Sequence, residues 1–224
     1  MSDPRFVLPW RKQNTHSMLQ RTKAIALALS VLAVGSPLIT ACADQGRIYF
    51  EQGTEKFKPG NYQGAIDDWS KTLEIDPQKA VAYMNRGIVK GNLQYYQGAI
   101  ADHTKAIEVN PQFADAYNNR GVIKNQLKDF QGAFADFSKV IEINPQFDAA
   151  YFNRGNAKHR SGDLQGEIND WSKTIEVNPQ YADAYINRGT GREMQNDLKS
   201  ACQDWRKAAE LGKKEPAEWV KEAC

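Results

Sequence analysis

Residues 114–147 read ADAYNNRGVIKNQLKDFQGAFADFSKVIEINPQF, and variants of this stretch stand before and after it at a fixed spacing of 34 residues. Pro77, Pro111, Pro145 and Pro179 mark that spacing, as do Gly53, Gly87, Gly121, Gly155 and Gly189. Self-similarity at such a period means that each unit is one supersecondary element of an array. Within the unit, Tyr117, Gly121, Ala133, Phe137 and Pro145 put one apolar stripe on each of two helices joined by a turn. Glycine on the first helix and alanine on the second remove side-chain bulk, so the backbones approach closely while aromatics fill the wider gap. Asp76-Pro77, Asn110-Pro111, Asn144-Pro145 and Asn178-Pro179 end each second helix. Proline lacks a donor and turns the residue before it away from helical geometry. One such hairpin cannot bury its apolar face, whereas stacked hairpins bury a continuous core and leave a long inner surface.

The signature of aromatic, glycine, alanine, aromatic and proline at these positions resembles the tetratricopeptide repeat, over about three quarters of the chain. The resemblance implies an all-α, right-handed superhelical solenoid. Its five hairpins are expected at 46–79, 80–113, 114–147, 148–181 and 182–213, with a C-terminal capping helix over 214–224. The spelling of the units also resembles arrays common in cyanobacteria. The last unit lacks the closing proline, and over Ala201–Val220 it resembles the Sel1-like repeat in Trp205, Ala208, Ala209, Gly212 and Ala217. A cap helix from about Pro216, a residue suited to a first turn, covers the open apolar end of the stack. Glu167 stands where the other units have Ala65, Ala99 and Ala133. That position is tight for a carboxylate, so the fourth hairpin is expected to splay locally and Glu167→Ala to raise the melting temperature.

A hydrophobic fraction of 41% with 25% charged residues excludes the disordered class and suits a substantial core. The formal charge is +2, but Arg5, Arg11, Lys12, Arg21 and Lys23 stand against Asp3 before residue 42, leaving the remainder at about −2. Lysine and arginine alternate with acids along the units, so no basic stripe for nucleic acid forms. Residues 1–41 read as an export segment. Arg21 and Lys23 precede an apolar run, Ala24 to Val34, that at about 1.5 Å per residue spans roughly half of a bilayer core of about 30 Å. A basic start, an apolar middle and small residues at the end make a signal peptide, counted from Met1 or from Met18. Leu38-Ile39-Thr40-Ala41-Cys42 resembles a bacterial lipobox, which implies lipidation of Cys42 and a tether over residues 42–45. The alternative is ordinary cleavage before Asp44, after an A-x-A site, releasing a soluble protein.

If Cys42 carries lipid, Cys202 and Cys224 remain as a pair equidistant from Lys213. Residues equally far from the turn of an antiparallel hairpin sit at one level, so a disulfide between them is expected to pin the cap in an oxidising compartment.

Asn85, Asn119, Asn153 and Asn187 each precede an arginine and a glycine. The resemblance implies that they face the inside of the superhelix as a ladder of amides that both donate and accept, binding an extended peptide. Phe50, Met84, Asn118, Phe152 and Ile186 would add mainly apolar contacts. A lysine at those positions would make a clamp for a C-terminal carboxylate, and none is present. Arg86, Arg120, Arg154 and Arg188 are expected to bridge to the aspartates beside the second-helix aromatics, Asp102, Asp136, Asp170 and Asp204, with Asp68 at the same position in the first unit. Catalysis finds little support. His16 lies in the export segment, His103 replaces a core aromatic, His159 stands alone, and Asp67-Asp68 point in different directions on a helix. No cofactor or metal is implied. The reading is an exported, lipid-anchored scaffold for other proteins, without chemistry of its own, facing the periplasm or thylakoid lumen and serving assembly of a membrane-associated complex. The alternatives are a secreted regulator or inhibitor of an enzyme, and a hydrolase with an unseen site.

Overall fold

The computed structural model describes residues 37–58 and 60–224. Their regular secondary structure is entirely helical, in the order α1 Pro37–Phe57, α2 Tyr62–Ile75, α3 Ala80–Asn92, α4 Tyr96–Val109, α5 Ala114–Gln126, α6 Phe130–Ile143, α7 Asp148–Ser161, α8 Leu164–Val177, α9 Ala182–Met194, α10 Leu198–Glu210 and α11 Lys214–Ala223. Consecutive helices pair into five hairpins, each packed on the next, and α11 closes the stack against α10. This is the expected solenoid. Residues 1–36 of the proposed export segment lie outside the described residues. Residues 37–45, which include the proposed lipobox and tether, are helical and continuous with the first hairpin, while the Cys42 side chain lies outside the description.

Short-range chemistry sets the helix boundaries. Asn61, Asp129, Asp163 and Asp197 each accept a hydrogen bond from the backbone N–H three residues on, capping α2, α6, α8 and α10. Each Asp-Pro-Gln or Asn-Pro-Gln turn is an Asx turn, in which Asp76, Asn110, Asn144 or Asn178 accepts from the glutamine N–H at 3.0–3.1 Å. Asn110, Asn144 and Asn178 are extended, as a following proline requires. Thus the proline motif ends one helix and aims the next.

The repeat glycines explain the hairpin packing. A Cβ at Gly53, Gly87, Gly121, Gly155 or Gly189 would come within 2.5–2.8 Å of the ring of Trp69, His103, Phe137, Trp171 or Trp205 respectively. Only a bare Cα lets the ring lie across the first helix. One turn before these rings on the second helix, Ala65 packs with Trp69 and with Val89 of the following hairpin, and Ala133 with Phe137 and Ala157.

The arginine–aspartate bridges form as expected. Nε and Nη2 of Arg86, Arg120, Arg154 and Arg188 donate to both carboxylate oxygens of Asp102, Asp136, Asp170 and Asp204 at 2.6–3.0 Å. The remaining Nη1 of each donates at 2.9–3.2 Å to Ser70, Thr104, Ser138 or Ser172 in the preceding hairpin. One guanidinium therefore ties two helices of its own hairpin to the one before. A second cation, Lys90, Lys124, Lys158 or Arg192, reaches the same carboxylate at 2.7–2.9 Å. The first hairpin has Gln52 in place of the arginine, and its Asp68 pairs with Lys56 and Lys71.

At the far end, Trp219 of α11 packs edge-on against Trp205, with ring centroids 5.5 Å apart at 69°. Cys202 and Cys224 lie at disulfide distance, their Cα atoms 5.8 Å apart. A cross-link here restrains only the cap, because each element of such an array is held by its neighbours. Reductant, or Cys224→Ser, is expected to speed amide hydrogen exchange in α11 while leaving α3–α8 unchanged; equal protection in both redox states would show that packing alone holds the cap.

Candidate functional site

The first helices of the hairpins carry a row of three adjoining cavities on one face. The central one, 410 Å³, lies between α5, α7 and α9 and is lined by Asn153, Asn156, Asn187, His159 and Arg160 over Phe137 and Trp171. It shares Val122 and Gln126 with a 140 Å³ cavity beside α3 and α5, which Asn119 and His103 also line. It shares Thr190 with a 370 Å³ cavity reaching Trp219 and Ala223 of the cap. Together they form a groove from the second hairpin to the end of the stack.

Three of the four predicted ladder amides therefore line the groove: Asn119, Asn153 and Asn187. Asn85 is half-buried on α3, outside these cavities. The amides pair across hairpins, with Asn153 Nδ2 donating to Asn118 at 3.0 Å and Asn187 Nδ2 to Asn156 at 2.9 Å. Asn156 Oδ1 also accepts from the Trp171 indole at 3.2 Å. These bonds fix rotamers while leaving each amide further donor or acceptor capacity. Asn118 is thus a positioning partner within the ladder.

Two predicted apolar contacts, Phe50 and Phe152, are half-buried and meet a side chain of the next hairpin. The Phe152 ring lies 4.8 Å from Tyr181, and the Lys79 ammonium sits 5.2 Å over the Phe50 ring. Both neighbours, Lys79 and Tyr181, come from the turn that begins the following hairpin, because stacking brings that turn beside the preceding helix. Met84 remains half-buried on α3. Asn156 and Arg160 were not singled out from the sequence, although they stand three and seven residues after Asn153, the spacing of one helical face.

His159 is not isolated. Its Nδ1 lies 2.9 Å from Oε2 of Glu167, a carboxylate only 1% exposed. Burial raises the Glu167 pKa, and the His159 contact opposes that rise. The expected splaying of this hairpin does not occur, since Gly155 meets Trp171 as closely as Gly121 meets Phe137. The room comes from the next hairpin. Gly191 stands where α3, α5 and α7 have Val89, Ile123 and Ala157, and a Cβ on it would lie 3.1 Å from Glu167 Oε1. A larger side chain at one position has been matched by a smaller one 24 residues later.

His103 is fully buried against Gly87, with neither ring nitrogen hydrogen-bonded, and its pKa is lowered to about 4, chiefly by burial. Among the described residues no group of three or more histidine, cysteine, aspartate or glutamate side chains could hold a metal ion. Nor does any described helix have the length and apolarity to cross a membrane.

Comparison with known proteins agrees with this architecture. Residues 80–113 and 114–147 each match a family profile described as tetratricopeptide repeat. No curated protein matches the chain by sequence. Among solved structures, the MamA protein superposes with a TM-score of 0.68 at 23% identity, covering 80% of this chain and 95% of its own. YrrB, described as a TPR protein with an unusual peptide-binding site, gives 0.64 at 22% identity over 78% of this chain and 90% of its own. PilF of Pseudomonas aeruginosa gives 0.71 at 16% identity over 82% and 90%. At these identities the likeness is one of fold.

Proposed function

We propose that these tetratricopeptide hairpins form an exported, lipid-anchored scaffold that holds a segment of a partner protein in the inner groove during assembly of a membrane-associated complex. The observation that carries the reading is the groove itself. The paired amides of Asn153, Asn156 and Asn187, with Asn119 beyond them, line connected cavities that also hold the rings of Phe137 and Trp171. Such a surface matches an extended backbone, whose N–H and C=O groups alternate while its side chains vary. The protein is a binding platform, and it has no chemistry of its own. Export and anchoring rest on the order of residues 1–42, a basic start, an apolar run and a terminal cysteine.

The binding half is tested by selecting displayed peptides on the protein and measuring their affinity for an Asn153→Ala, Asn187→Ala double variant. A loss of about tenfold or more, with helix content unchanged, is expected. Unchanged affinity would make the amides purely structural. The anchoring half is tested by mass spectrometry of the mature N-terminus in native membranes, where acylated Cys42 is expected and an unmodified start at Asp44 would refute it.

A further inference from the structure

The cavity at the cap end differs in chemistry from the amide-lined centre, and the difference points to what it takes. Its 370 Å³ are bounded by Trp205, Trp219, Thr190, Glu193 and Ala223. Trp205 is buried and Trp219 half-buried, and their edge-on packing fixes both indoles as one wall. Glu193 is exposed, while its neighbour Arg192 is committed to Asp204 at 2.8 Å. The Thr190 hydroxyl donates to the carbonyl of Ile186 at 3.2 Å, which leaves its oxygen free to accept. Apart from the indole N–H donors, of which that of Trp205 is buried without a partner, the polar lining of this cavity is the Glu193 carboxylate and the Thr190 hydroxyl, beside indole rings whose faces attract cations.

We propose that this cavity is a cage for a lysine side chain of the segment held in the groove. The aliphatic stem lies along Trp219 and Ala223, and the ammonium donates to Glu193 and Thr190. Lysine suits the site because its compact ammonium supplies three donors at the end of a flexible apolar stem. The central cavity places Arg160 and His159 on its wall, so the two cavities differ in charge preference. A segment with a lysine at one end would therefore enter in one direction. This assignment deepens the groove reading and rests on it, but the test needs no natural partner.

The experiment is a titration of the intact, oxidised protein with N-acetyl-lysine amide and with N-acetyl-norleucine amide, which keeps the four-carbon stem and lacks the ammonium, following the indole N–H resonances by NMR. Saturable shifts of the Trp219 indole are expected with the lysine compound, at an affinity about threefold or more above that for norleucine. Glu193→Gln, a surface change that leaves the cap in place, should erase that difference. Equal binding of the two compounds would reduce the site to an apolar pocket, and no shift with either would overturn it. Lysine binding by a protein that fails to select displayed peptides would leave the cage standing and remove the groove reading instead.

Discussion

Asp136→Ala is expected to destabilise the protein by about 3–5 kcal/mol, the largest effect of any single substitution considered for this chain. Asp136 is 3% exposed and receives both Nε and Nη2 of Arg120 together with Nζ of Lys124 at 2.8 Å. Removing it strands two cations whose side chains are themselves largely enclosed. The damage spreads across a junction, because the same guanidinium holds Thr104 of the preceding hairpin at 3.0 Å and lies over the Tyr117 ring. Asp136 also stands in the middle hairpin, where losing one unit uncouples the neighbours on both sides. The surface pair Lys139–Glu142 provides the control, since breaking an exposed pair costs about 1 kcal/mol or less. Thermal and urea unfolding followed by circular dichroism measure both variants. Equal small losses would show that the aspartate is solvated and that the bridge contributes little.

The second large effect has the opposite sign. His103→Phe is expected to raise the melting temperature at neutral pH and to widen its advantage as the solution is acidified. The site already tolerates an aromatic hydrocarbon, for Phe137 occupies the equivalent place over Gly121. Phenylalanine removes two buried ring nitrogens that have no hydrogen-bond partner, each a desolvation cost of about 1–3 kcal/mol. The pH dependence follows from the lowered pKa. An unfolded chain binds a proton on His103 below the ordinary value of 6.5, whereas the folded protein resists it until about 4. Stability from this residue is therefore intact above 6.5 and falls as pH drops through that window, by on the order of 3 kcal/mol at its lower end. Glu167 works the other way. Its raised pKa means that the folded state holds a proton more tightly, so acidification favours the native protein at that site. Melting curves of wild type and His103→Phe across this range should diverge on the acid side; parallel curves would mean that the imidazole is hydrated from the adjoining cavity and titrates normally.

How far the sequence could be read depends on the distance over which each interaction acts. The hairpin is legible because its determinants are local and recur: a proline that stops one helix, an asparagine that closes the turn, a glycine facing an aromatic 16 residues later. The arginine–aspartate bridge is legible for the same reason, since the two residues recur together at one separation in four hairpins. Asn156 and Arg160 could also have been read, by following the helical face on from Asn153. What could not be read lies at the junctions between hairpins. That Lys79 and Tyr181 of the next turn lie against the Phe50 and Phe152 rings appears only once the hairpins are stacked. Glu167 looks like a misfit, and Gly191 like an arbitrary small residue, until stacking puts one against the other.

By itself, then, the sequence determined that this chain is a stack of helical hairpins, which residues pack inside each and which ion pair ties its two helices, while the first helix extends back to Pro37, before the expected start at residue 46. Those features depend on period and on contacts within one unit, and a repeat displays such contacts several times over. Only the tertiary structure decided which amides pair across the groove, that His159 meets the buried Glu167 carboxylate, and that Trp219 and Glu193 share a cavity at the cap. Those arrangements arise where one hairpin meets the next or the cap. There the curvature of the stack, set by many small packing choices at once, decides which side chains touch.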